Sequence, residues 1–231
     1  MRYFRYLGVG FAFLFTVSAM SAEQIDLSQY RHIPPMLVLI SSNIGHGMGV
    51  VYEQNRVLTT AHVVYEKGVE SSITIIFYPN FRKAPGKLLK ATSQKAEREL
   101  AIIEVDTADI KPVEFATAVE VGDRVSWYKA GVYDHPNLTL ERGTVTHKTA
   151  KVLWPPLVYV LCEPDAPVGQ EVAVVASGFA PGGSSGGPVL NKRQELAGII
   201  FGADAHFGTS IFTSIDAVRR FLNEYNSEQA H

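Results

Sequence analysis

The chain has 231 residues, of which 46% are hydrophobic and 19% charged, a composition that excludes disordered and fibrous proteins. Its 21 Lys and Arg against 23 Asp and Glu give a net charge of −2, without the basic excess typical of nucleic-acid binding, so no nucleic-acid partner is expected. The one cysteine, Cys162, rules out an internal disulfide and is expected to be a small buried hydrophobe.

The first 22 residues predict a secretory signal peptide. Arg2 and Arg5 precede an apolar run at 7–17, and small residues follow at 18, 19, 21 and 22. This run is shorter than the roughly 20 residues that cross a bilayer, so no stable membrane span is expected after signal cleavage, the alternative being an uncleaved anchor. The mature protein is therefore expected in a periplasm or outside the cell.

From Met36 onward, short apolar runs alternate with turn residues such as Ala84-Pro85-Gly86 and Val121-Gly122-Asp123, and this pattern predicts about a dozen strands. The predicted strands are 36–41, 48–52, 56–60, 72–78, 87–91, 100–105, 124–130, 138–148, 157–162, 171–175, 195–201 and 208–213.

One helix is predicted at the C-terminal end. Ile215, Val218, Phe221 and Leu222 recur on one helical face, and Ser214 is placed to cap the N-terminus. Many strands with one terminal helix favour a barrel or sandwich, and the length allows two small barrels that meet near residues 107–122.

The segment from Gly182 to Pro188, with the sequence GGSSGGP, is the strongest local signal. Glycines allow a positive φ and bring backbone N–H groups close to a reacting carbonyl, so Ser185 is a candidate nucleophile. The same composition also suits a flexible linker or a tight turn.

A second segment, at 57–64, predicts a strand that ends on His62, which is preceded by two small residues. A serine nucleophile needs a base, and imidazole is the side chain with a suitable pKa near neutrality. Taken alone, this histidine could equally be structural.

Together, Thr60-Ala61-His62 and the segment Gly183–Pro188 resemble the paired signature of trypsin-like serine peptidases. The absence of disulfides and the Ser184 before the candidate nucleophile make the chain similar to bacterial members, including the HtrA-type protease domain. The resemblance implies two six-stranded antiparallel β-barrels with a C-terminal helix, an N-terminal barrel at 30–115 and a C-terminal barrel at 116–225. It also implies that the N–H groups of Gly183 and Ser185 form an oxyanion hole.

The family's catalytic aspartate is replaced in this sequence. Where the family has Asp-Leu-Ala, the chain has Glu99-Leu100-Ala101. A carboxylate here would fix the imidazole tautomer and stabilise the imidazolium, which glutamate can also do. Its extra methylene raises the alternative that activity is reduced, because a catalytic group displaced by about 1 Å can cost on the order of 10²-fold in rate. The alternative interpretation is that Glu99 is a surface residue. In that case Asp106, Asp109 or no residue at all takes the role of the catalytic aspartate.

The resemblance also assigns the substrate-binding residues. Ala203 and Ser210 are expected on the walls of the primary pocket and Phe179 near its base, while Phe201 lies in the strand 196–202 that receives extended substrate. Small walls over an apolar base predict a modest apolar residue, not Lys or Arg, before the scissile bond.

The predicted function is a secreted serine endopeptidase acting on proteins or peptides with His62, Glu99 and Ser185 and without a cofactor. An α/β-hydrolase is disfavoured because that fold places its histidine after the serine and alternates strands with helices. No metal-binding motif occurs. The remaining alternative is a weakly active or inactive peptidase-fold protein that binds peptides or partners.

Overall fold

In the computed structural model, the described residues are 31–67, 69, 71–92, 99–130, 138–153, 158–161, 173–180 and 182–230. The predicted signal peptide at 1–22 and Cys162 lie outside this part of the chain. No helix within it is long and apolar enough to cross a membrane.

The N-terminal half forms a closed antiparallel barrel of six strands in the order β1-β2-β3-β6-β5-β4. The strands are β1 (Leu37–Ser42), β2 (His46–Glu53), β3 (Arg56–Thr59), β4 (Ile73–Phe77), β5 (Arg82–Ala91) and β6 (Ala101–Glu104). Alternation with a period of two positions the core side chains, as in β4, where Ile73, Ile75 and Phe77 are buried.

Strand β5 is longer than predicted, because Ala84-Pro85-Gly86 continues the strand instead of forming a turn. Pro85 is aligned with Thr74 of β4. A Cβ at Gly86 would meet Ile103 Cγ2 at 2.8 Å, so glycine is needed here for close packing across the barrel. Pro85 and Gly86 therefore lie within a strand, and the glycine is explained by close packing rather than by a turn.

The C-terminal half forms a second six-stranded barrel, because β10 pairs with both β13 and β8 and so closes the order β10-β13-β12-β11-β7-β8, while β9 extends the sheet at β8. The strands are β7 (Arg124–Ala130), β8 (Leu138–Leu153), β9 (Val158–Leu161), β10 (Ala173–Ser177), β11 (Pro188–Asn191), β12 (Leu196–Asp204) and β13 (Thr209–Ser214). The predicted pair of six-stranded barrels is confirmed.

The largest hydrophobic cluster joins the two barrels. Leu58, Leu100 and Ile102 of the first barrel belong to the same buried cluster as Trp127 and Phe212 of the second. Since interiors of this kind are close-packed, the two barrels hold a fixed arrangement at their contact.

The terminal helix α2 (Ile215–Gln229) is confirmed, and Ser214 Oγ accepts the Ala217 N–H at 3.2 Å as the predicted N-cap. This helix fastens the second barrel to the first. Lys90 of β5 forms an ion pair with Glu228 at 2.7 Å and lies 5.7 Å from the centre of the Phe221 ring. Arg219 donates to the Ala116 and Thr117 carbonyls in the segment between the barrels.

Replacing Phe221 with alanine is expected to lower the free energy of unfolding by about 3–5 kcal/mol, because the ring is fully buried in the cluster shared by both barrels. Urea unfolding followed by tryptophan fluorescence measures the change. Phe207→Ala is the matched control, since its ring is 68% exposed and its loss should change stability by no more than about 0.5 kcal/mol. Equal losses in the two variants would show that α2 does not hold the barrels together.

Candidate active site

His62 lies in a single helical turn, α1 (Ala61–Val64), and not at the end of a strand as the sequence suggested. Strand β3 ends at Thr59, and α1 begins two residues later. The backbone on either side of the histidine is fixed: the Ala61 N–H donates to the Glu99 carbonyl at 3.2 Å, and Ser42 Oγ donates to the Val63 carbonyl at 2.7 Å. His62 is thus presented by a short turn bonded to two other parts of the first barrel.

Glu99 is buried, with 3% of its side chain exposed, and not a surface residue. Its Oε2 lies 3.0 Å from His62 Nδ1, and the imidazole keeps 31% of its surface exposed. Despite this distance, neither Glu99 oxygen has a hydrogen-bond partner among the described residues, and Nδ1 is also without one. The carboxylate therefore meets the ring at ion-pair distance but away from the N–H direction. Asp106, by contrast, is exposed and bonds within its own loop.

Ser185 lies in a tight loop joined to both barrels. Within the second barrel, the Gly186 N–H donates to the Ile200 carbonyl at 2.7 Å, and the Ile200 N–H donates to Gly187 at 3.0 Å. Across the barrel contact, the Met48 N–H donates to the Ser185 carbonyl at 2.8 Å. The loop is ordered by these bonds, so the flexible-linker reading is wrong.

Gly47 of β2 shows how close the serine loop and the histidine turn lie. A Cβ at Gly47 would meet the Ser185 carbonyl oxygen at 2.5 Å and Val63 Cγ2 at 2.7 Å. The Gly47 position on β2 is therefore adjacent both to the backbone of Ser185 and to the side chain of Val63, the residue after His62. Only glycine leaves room for both approaches.

The backbone N–H groups at the turn are available to a ligand. Gly183 and Gly186 have φ values of 91° and 81°, a region that favours glycine. Within the described structure, the N–H groups of Gly183 and Ser185 donate to no acceptor. Unused backbone donors in the loop of a candidate nucleophile are the groups that an oxyanion hole requires.

Gly186→Ala is expected to slow the reaction of Ser185 with a fluorophosphonate by on the order of 10²-fold, since about 1 Å of misplacement in a catalytic group has such an effect. An added Cβ would lie 2.1 Å from Thr59 Oγ1 and 2.2 Å from the Met48 carbonyl oxygen, so the loop would have to move. Gly45→Ala is the control, because its Cβ would meet its nearest atom at 3.6 Å. Equal labelling rates for wild type and Gly186→Ala would contradict the packing argument.

A cleft of about 210 Å³ opens beside Ser185. Its lining is mostly apolar, and the described lining residues include no Asp or Glu. The lining residues are Phe179, Ala180, Gly182, Ser185, Ile200, Gly202, Ala203 and Ala205. Asp204, next to Ala203, has its carboxylate occupied by the His206 and Phe207 N–H groups of its own turn.

Among the predicted substrate-binding residues, Phe179 and Ala203 line this cleft together with Ser185. Phe201 is buried beside a register irregularity of β12, and neither it nor Ser210 belongs to the lining. The Ser210 hydroxyl instead donates to the Gly178 carbonyl at 2.7 Å and holds the start of the loop that carries Phe179.

Sequence reasoning missed the residues that support the site. Ser42 bonds to the histidine turn, and Thr59 Oγ1 donates to the Met48 carbonyl beside Gly186. Neither residue carries a motif, and each acts through contacts to residues far along the chain. Elsewhere in the described part, no group of His, Cys, Asp and Glu is arranged to hold a metal ion.

Comparisons with known proteins agree with this geometry. The family model of the trypsin-like peptidase domain matches residues 47–199, and the chain belongs to this family. The span includes His62, Glu99 and Ser185.

Similar solved structures are bacterial proteases. The Rv3671c protease of M. tuberculosis, in an inactive form, superimposes with a TM-score of 0.64 at 23% identity over 83% of this chain and 89% of that one. A serine endoprotease from Yersinia pestis gives 0.62 at 17% identity, over 87% and 67% of the two chains. The MamO protease domain from Magnetospirillum magneticum gives 0.61 at 18% identity, over 83% and 97%. At these identities the likeness shows the shared fold.

Proposed function

We propose that this protein is a secreted serine endopeptidase that hydrolyses peptide bonds through an acyl-enzyme, with His62, Glu99 and Ser185 as its triad. The observation that carries the proposal is the His62 Nδ1 to Glu99 Oε2 contact of 3.0 Å, formed in the barrel that also binds the Ser185 loop. Membership of the trypsin-like peptidase family supports the reaction class.

The proposed reaction begins when His62 Nε2 takes the proton of the Ser185 hydroxyl as its oxygen attacks the substrate carbonyl. The Gly183 and Ser185 N–H groups donate to the oxyanion of the tetrahedral intermediate. His62 gives its proton to the leaving amine, then activates the water that releases the acid product. Glu99 fixes the imidazole and stabilises its protonated form.

The proposed substrate is a peptide with a small or medium-sized apolar residue before the scissile bond. Support comes from the lining of the cleft, which holds Ala203 and Ala205 and includes no acidic group among the described residues to pair with Lys or Arg. Secretion to a periplasm or the exterior is proposed from the signal-peptide pattern at residues 1–22.

A peptide library cleaved by the purified mature protein and analysed by mass spectrometry tests both parts of this proposal. Cleavage after Ala, Val, Leu or Met that is absent in Ser185→Ala supports them together. Cleavage after Lys or Arg would refute the pocket assignment alone, whereas no cleavage of any peptide would count against the endopeptidase.

A second candidate function is a weakly active or inactive peptidase-fold protein that binds peptides. The observation in its favour is the off-axis approach of Glu99, whose oxygens have no hydrogen-bond partner in the described part of the structure. Peptide binding by wild type and Ser185→Ala with equal affinity, without turnover of either peptide, would support this candidate.

A further inference from the structure

A second cleft lies outside the candidate active site, on the second barrel. It encloses about 570 Å³. Three cationic side chains line it: Arg124 at the start of β7, Arg142 in β8, and Lys192 in the turn that follows β11. No part of the proposed reaction uses these residues.

The strand register puts both arginines on the same face of the sheet. Arg124 is aligned with Thr144, and Ser126 is aligned with Arg142. Aligned residues share a face, as do alternate residues of one strand, so the two arginines are diagonal neighbours with side chains within reach of one ligand. Asn191 is aligned with Val125 of β7, which brings the following Lys192 to the same cleft.

These three cations have no acidic partner among the described residues. Most other described Lys and Arg side chains form ion pairs, for example Lys129 with Glu141 and Lys148 with Glu120. Arg124, Arg142 and Lys192 form none among the described residues, and the described lining includes no Asp or Glu. Like charges on neighbouring strands of one sheet face are unfavourable without a counter-charge.

The acidic residues adjacent to the lining are engaged elsewhere. Glu141 pairs with Lys129, and Asp123 accepts the Glu120 N–H at 2.8 Å. Glu195 accepts hydrogen bonds from the Asn191 amide and from Arg193. These bonds hold the pKa of Glu195 below its usual range, and the bond from Asn191 has the larger effect. None of these carboxylates forms an ion pair with the three lining cations among the described residues.

The lining also supplies neutral hydrogen-bond donors. Ser126 is a buried residue, 8% exposed, on the same strand face as the arginines. Ser177 Oγ accepts the Thr144 N–H at 2.9 Å, which leaves its own proton for a ligand. Guanidinium forks over hydroxyl donors are suited to carboxylate and phosphate oxygens, which accept two parallel bonds.

We infer that this cleft, formed by Arg124, Arg142, Lys192, Ser126 and Ser177, is a binding site for a small oxyanion-bearing ligand with phosphate or carboxylate groups. A multiply charged anion would offset all three cations at once. The inference stands independently of the proposed peptidase activity.

Isothermal titration of the purified mature protein with tripolyphosphate and with citrate, at low ionic strength, tests this site. Wild type is expected to bind at least one of them with a stoichiometry near one, and Arg124→Ala/Arg142→Ala to bind at least tenfold more weakly. The control is Arg31→Ala/Lys83→Ala, which removes the same charge from two exposed residues that form no ion pair in the described structure, and it should bind like wild type.

Tighter binding of tripolyphosphate or of citrate identifies phosphate or carboxylate as the preferred group. The absence of binding by wild type, or an equal loss in the two double variants, would overturn the inference. If the double variant does not fold, Lys192→Gln is the second test: it leaves the barrel strands intact and is expected to weaken binding several-fold. Unchanged binding by Lys192→Gln would also count against the site.

Discussion

Replacing His62 with alanine is expected to lower kcat/KM for peptide hydrolysis by at least about 10⁴-fold, because Ser185 then has no base to take its proton. The remaining rate would come from the oxyanion donors and substrate binding alone. Substrate affinity should change little, since the cleft beside Ser185 is not lined by His62.

The loss is measured with the best substrate from the library, under single-turnover conditions that isolate acylation. His147→Ala serves as the matched control, because that imidazole lies on β8 and contacts Thr146 rather than the candidate site. A His62→Ala protein that kept more than a tenth of the wild-type rate would remove His62 from the mechanism.

Glu99→Gln is expected to lower kcat by roughly 10²- to 10⁴-fold with little change in KM, because the imidazolium formed during acylation loses a carboxylate 3.0 Å from Nδ1. The change removes charge but keeps shape, so a buried side chain is not replaced by a cavity. Glu99→Asp keeps the charge and is expected to lose about tenfold or less.

Glu104→Gln is the control for these variants, since that carboxylate pairs with Arg56 on the barrel surface. Equal kcat values for wild type and Glu99→Gln would show that the oblique contact makes no catalytic contribution. Such a result would leave His62 and Ser185 to act as a pair without a third member.

Local patterns predicted most of the fold. Alternating apolar residues located twelve strands, and Ser214 with the apolar face of residues 215–222 located the terminal helix. Strand β11 was missed because it is only four residues long and begins at the last residue of the glycine-rich segment. Pro85 and Gly86 were misread as a turn because the close contact of Gly86 with Ile103 depends on barrel closure.

The residues of the candidate site were predicted from the resemblance of their motifs to a family. Their mutual arrangement is visible only in the three-dimensional structure. No sequence pattern indicates that Ser42 bonds to the turn of His62, or that Met48 bonds to the Ser185 loop. The basic cleft was likewise invisible in the sequence, because strand register and one turn bring Arg124, Arg142 and Lys192 together.

Labelling with a fluorophosphonate probe, followed by peptide mass spectrometry, tests the central proposal most directly. The proposed triad predicts that the mature wild-type protein is labelled at Ser185 alone, that Ser185→Ala is not labelled, and that Glu99→Gln is labelled more slowly. No labelling of a folded wild-type protein, or labelling at another serine that persists in Ser185→Ala, would contradict the assignment of Ser185 as the nucleophile.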